Sequence, residues 1–299
     1  MTPKANTSGL TNVFRGSEAR RAGLVTAGQL RGPSFRRLFQ DVYVPADITV
    51  THELRCRGAA LIVPPQAVVT GRSAATVLGV HLATPNDPIE FVVPEKFRFG
   101  PVDGIRVRRT AIHRTETRTW NGIRIARPSR IALDLMLRLS PRKHGWIRRL
   151  RIAVPDVDAF LRAGLVRRAA LARSLLRRRN RGIRLARCAL DLADPRAESP
   201  PESELRVVLA TAGFRVTPQF NVRYRRRLLG RLDLAIPEVK VAIEYDGRWH
   251  LAPHQAARDR ERRARIVAEG WRFVVITAEQ LARDYEAIVR AVSDAVRRI

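Results

Sequence analysis

The chain has 299 residues, 45% of them hydrophobic, with 56 Lys+Arg against 28 Asp+Glu and a formal net charge of +28. That length accommodates two or three domains of ordinary size. It excludes a helical membrane protein, because no apolar run approaches the roughly 18 residues of a span and the longest candidate, 59–69, is broken by Pro64 and Pro65. Two cysteines, Cys56 and Cys188, are too few and too far apart for a disulfide framework or zinc ribbon and read as small buried hydrophobes.

The first residues, "MTPKANTSGLTNVFRG", hold neither an apolar core nor a cleavage signature, so the expectation is a soluble, cytoplasmic protein with no membrane partner. The basic excess is nearly all arginine, the lysines being Lys4, Lys96, Lys143 and Lys240. A planar guanidinium matches phosphate oxygens better than an ammonium does. The excess therefore points to a nucleic-acid partner, with duplex DNA favoured. The alternative is a GC-rich genome that writes arginine wherever a polar surface residue is needed.

Residues 1–48 read as short helices closed by a strand. "SEARRAGLV" is helix-like, Thr26 is an N-cap for "AGQLRG", Pro33-Ser34 opens "SFRRLF", and "DVYVP" alternates like a strand. This order is that of a winged helix-turn-helix, in which "SFRRLF" is the recognition helix and Arg36 and Arg37 face DNA. Residues 49–194 read as an α+β middle domain. Helices cover "THELRCRGAALIV" and "TGRSAATVLGV", the latter capped by Thr70. Strands lie at "IEFVVPE" and "IRVRRT", a hairpin at "TETRTWNGIRIARP", and a helix capped by Ser129 follows. From 142 to 187 fifteen basic residues stand against Asp156 and Asp158. The apolar residues there keep helical spacing, so the segment reads as amphipathic helices carrying Arg177, Arg178, Arg179 and Arg181 towards DNA, or else as a solvated arginine face. It lacks the interleaved aromatics that stack on unpaired bases, which disfavours an RNA-directed role. "DPRAESPPE" reads as a linker.

Residues 199–299 alternate α-β-β-β-α-β-α, the pattern of a mixed sheet flanked by helices. Within it, "GRLDLAIPEVKVAIEYDGRWH" sets Asp233, Glu244 and Asp246 into the most sheet-like stretch of a basic chain. A turn centred on Pro237-Glu238 puts residue 233 opposite 242 and two positions from 244. Period-two alternation then places 233, 242, 244 and 246 on one face. Two such carboxylates repel unless a cation stands between them, and Mg²⁺ favours a pair of carboxylates with water and phosphate oxygens. Solvent-facing acids of an edge hairpin are the plainer alternative.

"SPPESELR … GRLDLAIPEVKVAIEYDGRWH … RDRERRARIVAEGWRFVVIT" resembles the endonuclease-like (Vsr-like) family related to the very-short-patch mismatch repair nuclease. That family is domain of unknown function 559, within the PD-(D/E)xK superfamily, and the resemblance covers about the last hundred residues. It implies a restriction-endonuclease-like domain that hydrolyses DNA phosphodiesters with Mg²⁺ or Mn²⁺. By the same resemblance, Glu202 is the first-helix glutamate, Asp233 the central metal-binding aspartate, Glu244 and Asp246 the following acidic pair, and His250 the histidine after the glycine. Asp259 and Arg262 become the helical pair, with Arg262 and Arg263 towards DNA. Plainer readings stand beside these: Glu204 rivals Glu202, Asp246-Gly247 ends a strand, His250 packs beside Trp249, and Asp259–Arg262 is an i, i+3 surface pair. The superfamily's usual lysine two residues after the second acid is absent, Asp246 holding its place. His250, Lys240, an arginine of 258–265 or a second metal must then activate water, or the fold has lost catalysis. The first half, with "TAGQLRG … LFQDVYVP", "VVTGRSAATVLGV" and "RPSRIALDL", looks like the antitoxin of AbiE-type, type IV toxin–antitoxin systems. That likeness implies autoregulatory DNA binding and a cognate toxin partner.

Overall fold

The computed structural model describes residues 10, 12–247 and 253–297, and the fold is mixed α and β with three sheets among them. The chain divides into two compact units, Met1–Leu135 and Met136–Ile299.

The first unit opens with β1 (Phe14–Arg15), α1 (Gly16–Arg21), α2 (Ala27–Arg31), β2 (Phe35–Phe39) and β3 (Val42–Pro45), the strands pairing in the order β1-β3-β2. Thr26 caps α2 as expected, in a reciprocal box with Gln29. "SFRRLF" is not a helix. It is strand β2, antiparallel to β3 with a register shift between Arg37 and Phe39; its two phenylalanines suit a strand that pairs with "VYVP", and Arg36 and Arg37 are left exposed on the ribbon. A second sheet of order β6-β5-β4-β8-β7 is built from β4 (Val68–Val69), β5 (Ile89–Val93), β6 (Ile105–Arg109), β7 (Thr117–Trp120) and β8 (Ile123–Ala126). It carries α3 (His52–Ala60), α4 (Gly71–Val77) and α5 (Pro128–Met136).

Thr70 precedes α4 but makes no side-chain cap; its hydroxyl donates to Asp134 Oδ2 at 2.5 Å. Ser129 likewise lies inside α5 and does not cap it. Asp134 and Arg130, both buried, are joined at 3.0 Å, and Arg130 also reaches Glu116 at 3.0 Å, so the buried charges there are compensated. Gly71 has φ +56, and a Cβ on it would stand 2.0 Å from Glu90 Oε2; that carboxylate accepts the Arg72 N–H at 2.9 Å.

The second unit contains α6 (Trp146–Arg162), α7 (Arg168–Leu176), α8 (Ile183–Leu192), α9 (Pro200–Thr211), β9 (Thr217–Tyr224), β10 (Arg227–Ile236) and β11 (Val241–Asp246). It continues with α10 (Pro253–Ala268), β12 (Arg272–Thr277), α11 (Ala278–Arg283) and α12 (Tyr285–Arg297). The basic helices, grouped from sequence with residues 49–194, therefore sit in the same unit as the last sheet. The physical reason is a buried clasp between α6 and α9. Asp158 pairs with Arg206 and accepts the Asp194 N–H at 2.7 Å. Arg151 pairs with Glu204, donates to the Leu281 carbonyl at 2.8 Å, and lies 3.7 Å over the Tyr285 ring. The segment read as a linker at 194–202 is thus held on both sides. The arginine run 177–181 is not helical as its periodicity suggested; α7 ends at Leu176, and Gly182, at φ +86, starts α8.

The last sheet has the order β12-β11-β10-β9, with β11–β12 parallel and the other pairs antiparallel. On one face Leu205, Leu209, Leu234, Ile236, Val241, Ile243, Ile288 and Val292 form a core with α9 and α12. Ala235, Ala242, Ile266 and Trp271 close the other face under α10. Cys56 is fully buried, and burial pushes its thiol up to about 12; Cys188 is half-buried. No described helix is long and apolar enough to cross a membrane.

Candidate active site

The site forms where the β10–β11 hairpin opens. The paired positions are Leu234–Ile243, Ala235–Ala242 and Ile236–Val241. Asp233 and Glu244 are the residues just beyond the last of these pairs. The sequence expectation was off by two residues, because a 3₁₀ turn at Pro237–Val239 with Lys240 at φ +47 makes the loop longer than Pro237-Glu238 alone. Two is also the period of the strand, so the expected face survives. Ala235 and Ala242 pack on the α10 side, and Glu244 meets Arg262 and Arg263 of that helix. Beyond Glu244 the Tyr245 N–H is taken by Asp233 Oδ2 at 3.2 Å, so the aspartate closes the gap in the ladder.

Glu244, 5% exposed, receives an arginine on each oxygen: Arg262 Nη2 on Oε1 at 2.8 Å and Arg263 Nη2 on Oε2 at 2.7 Å. Asp259, one turn earlier on α10, holds both arginines, Arg262 at 2.6 Å and Arg263 at 3.1 Å. Burial opposes the Arg262 charge, but its bonds to Glu244 and Asp259 hold its pKa above the ordinary value. Gly230 lets α10 lie this close, since a Cβ there would be 2.9 Å from Arg262 Cγ.

Glu202 enters from the first turn of α9, where Ser199 and the Pro200-Pro201 start fix the helix end. Its Oε1 accepts from the Ser199 hydroxyl at 2.7 Å, and its Oε2 from the Glu198 N–H at 3.1 Å and Gln219 Nε2 at 2.8 Å. Glu204 turns instead to Arg151, which separates the two rival glutamates. Gln219 lies opposite Asp233 across the β9–β10 register and sits at φ +52, where a residue with a Cβ is strained. Nothing in "VTPQFNVRY" signals a left-handed residue, so Gln219 could not be found from sequence.

Burial pushes the Asp233 carboxyl up to about 6. The Tyr245 N–H works against that rise, the charges of Glu202 and Glu244 add to it, and Arg262 opposes it. Glu202, Asp233 and Glu244 thus come together as one electrostatic group, with Arg262, Arg263 and Asp259 above them. Asp246 is exposed at the end of β11, next on the same face. Lys240 is not brought here; it lies at the turn end of the hairpin and its Nζ donates to the Glu269 carbonyl at 3.0 Å. His250 lies outside the described residues. Arg177, Arg179 and Arg181 are exposed and Arg178 half-buried in the turn between α7 and α8.

The acidic group fits a divalent cation in charge, because a half-buried aspartate near two buried carboxylates gains most from a positive neighbour. Among the described residues, however, no three His, Cys, Asp or Glu side chains stand close enough to form a metal group, and Glu244 is already neutralised by arginine. Asp233 is the side chain best placed to receive an ion as the site stands.

No family model matches the chain. It is similar, at 26% identity over 240 residues, to two proteins of Mycobacterium tuberculosis described as uncharacterized, MT2308 of strain CDC 1551 / Oshkosh and Rv2248 of strain ATCC 25618 / H37Rv. The match spans 78% of this chain and 77% of each relative. Among solved structures it is similar to the Rv2827c protein of Mycobacterium tuberculosis, at 17% identity and a TM-score of 0.41, over 71% of this chain and 82% of that one.

Proposed function

We propose that the second unit carries a restriction-endonuclease-like, Vsr-like domain that hydrolyses DNA phosphodiesters. The observation that carries this reading is the electrostatic grouping of Asp233 with Glu202 and Glu244, the last of them held by two arginines. A surface hairpin has no reason to gather a buried and a half-buried acid, since withdrawing like charges from water together is unfavourable. Asp233 and Glu244 would hold a Mg²⁺ or Mn²⁺ ion, with Asp246 next along the face. Such an ion supplies Lewis acidity and an acidified water.

The protein's own groups do the rest. Asp233, whose proton affinity burial raises, would serve as an ionised ligand, so its role is to hold the ion rather than to carry a proton. Arg262 and Arg263 carry the positive charge that would neutralise a phosphorane-like oxyanion, once the substrate competes with Glu244 for them. Glu202, tied by Ser199 and Gln219, keeps negative charge against Asp233 and so raises its basicity. In the first unit, α1 and α2 followed by the β2–β3 ribbon support a winged helix-turn-helix reading. Arg36 and Arg37 then lie on the wing, where they would meet the DNA backbone.

The test is cleavage of supercoiled plasmid with Mg²⁺ or Mn²⁺ by the wild-type protein and by Asp233→Ala. Metal-dependent nicking by the wild type alone is the expected result; nicking that survives Asp233→Ala removes the site assignment. A second reading, an AbiE-type antitoxin or transcriptional regulator whose nuclease fold no longer cuts, is favoured by one observation: both oxygens of Glu244 are taken by arginine. On that reading both proteins bind DNA, neither cuts it, and the preferred duplex is the protein's own promoter.

A further inference from the structure

Among the described residues, four arginines are less than one-tenth exposed: Arg130, Arg149, Arg151 and Arg206. Three have acidic partners, namely Asp134 with Glu116, Glu204 and Asp158. Arg149 is the exception. It is 8% exposed; its Nε lacks a hydrogen-bond partner, as do those of Arg151 and Arg206, but among the described residues no ion pair or hydrogen bond engages any other atom of its side chain either. A guanidinium so far withdrawn from water without an acidic partner carries a desolvation cost.

The surroundings add positive charge rather than remove it. A methyl on Gly182 would stand 3.9 Å from an Arg149 Nη and 2.8 Å from Leu137 Cδ2, so the guanidinium lies against the backbone at the start of α8. Arg181, the preceding residue, repels it; burial first and Arg181 second lower the Arg149 pKa. The same turn presents Arg177 and Arg179 to solvent. Arg177 also lines an open cavity of about 490 Å³ with Arg173 and Arg178.

We propose that Arg149 and Arg181 form a phosphate-oxyanion site that anchors one backbone phosphate of a bound nucleic acid, with the turn's other arginines tracking the neighbouring phosphates. A guanidinium fork held rigid by burial and left without an internal acceptor is preorganised for a bidentate oxyanion. The missing counter-charge is then supplied by the ligand. The site rests on the reading of this protein as nucleic-acid-binding, but it is built from residues that the acidic site does not use.

The experiment is fluorescence anisotropy of full-length protein with a labelled duplex across a salt series, together with thermal melting in inorganic phosphate. Wild type is compared with Arg149→Met, which keeps the stem, and with Arg181→Ser, which is on the surface and leaves folding untouched. The expected result is roughly tenfold weaker binding for each variant, with a slope of log affinity against log salt shallower by about 1. Melting of Arg149→Met should be unchanged or higher, an outcome that a merely structural arginine would not give. Equal affinity and slope in wild type and both variants overturns the anchor and leaves DNA binding standing. Wild type that binds no duplex at low salt overturns both readings. Stabilisation of wild type, but not of Arg149→Met, by inorganic phosphate, with duplex affinity indifferent to both residues, overturns the nucleic-acid assignment in favour of a free phosphate ligand.

Discussion

Asp233 shows how one residue's proton affinity links stability to function. Its folded pKa of about 6 lies above the ordinary 3.8, so the folded state holds the proton more tightly than the unfolded chain. The corresponding stability is fully present below the unfolded value and is lost as pH rises through about 6. Asp233→Asn should therefore raise stability at pH 7.5 by roughly 1–3 kcal/mol and leave it nearly unchanged at pH 4. Urea unfolding at the two pH values checks this. If an ion binds at the site, Mg²⁺ should raise the melting temperature of the wild type at pH 7.5 and not that of Asp233→Asn. Gly71 makes a plainer prediction: Gly71→Ala combines a positive φ with a collision against Glu90 and should cost about 2 kcal/mol or more, read from the denaturation midpoint. At this scale the sequence revealed its acids because carboxylates among Val, Ile and Leu are conspicuous. It concealed Gln219 and Arg149, whose significance lies in a backbone angle and in a missing partner.

At the scale of elements, the sheet of the second unit was legible because its strands alternate or run apolar between turn residues. The hairpin register was not, since loop length decides it and the 3₁₀ turn is only visible in three dimensions. "SFRRLF" went astray for a related reason: six residues are too short for periodicity to separate helix from strand, and pairing with β3 decided the outcome. The grouping of the basic helices also depended on tertiary contacts, above all Asp158–Arg206. Removing one partner, as in Arg206→Ala, leaves a buried carboxylate and should cost about 3–5 kcal/mol. The double change Asp158→Leu with Arg206→Met should recover most of that loss. Chemical denaturation of the wild type and the two variants checks this, and a double variant as unstable as the single one would show that the pair does more than satisfy its own charges.

For the whole molecule, the net charge of +28 predicts a phosphate-led mode of binding. Duplex affinity should fall by at least about a hundredfold between 50 and 200 mM salt, and an affinity indifferent to salt would exclude that mode. The charge is unevenly useful, however. Arg262 and Arg263, expected from sequence to face DNA, are spent on Glu244, and Arg151 and Arg206 on the α6–α9 clasp. Composition counts every arginine alike, whereas one paired with an internal acid must give up that partner before it can meet a ligand.

The crossover from β11 through α10 to β12 has a kinetic consequence. Asp233 and Glu244 lie on strands joined by a short turn, so the like charges meet as soon as the hairpin closes. Arg262 and Arg263 arrive only when α10 docks, a step of longer sequence separation. An early hairpin thus carries a repulsion that its later partners remove. Refolding should accelerate on acidification towards pH 5, or in Asp233→Asn, at unchanged denaturant, while unfolding responds far less. The acids of the site would then act as a brake on the folding of their own sheet.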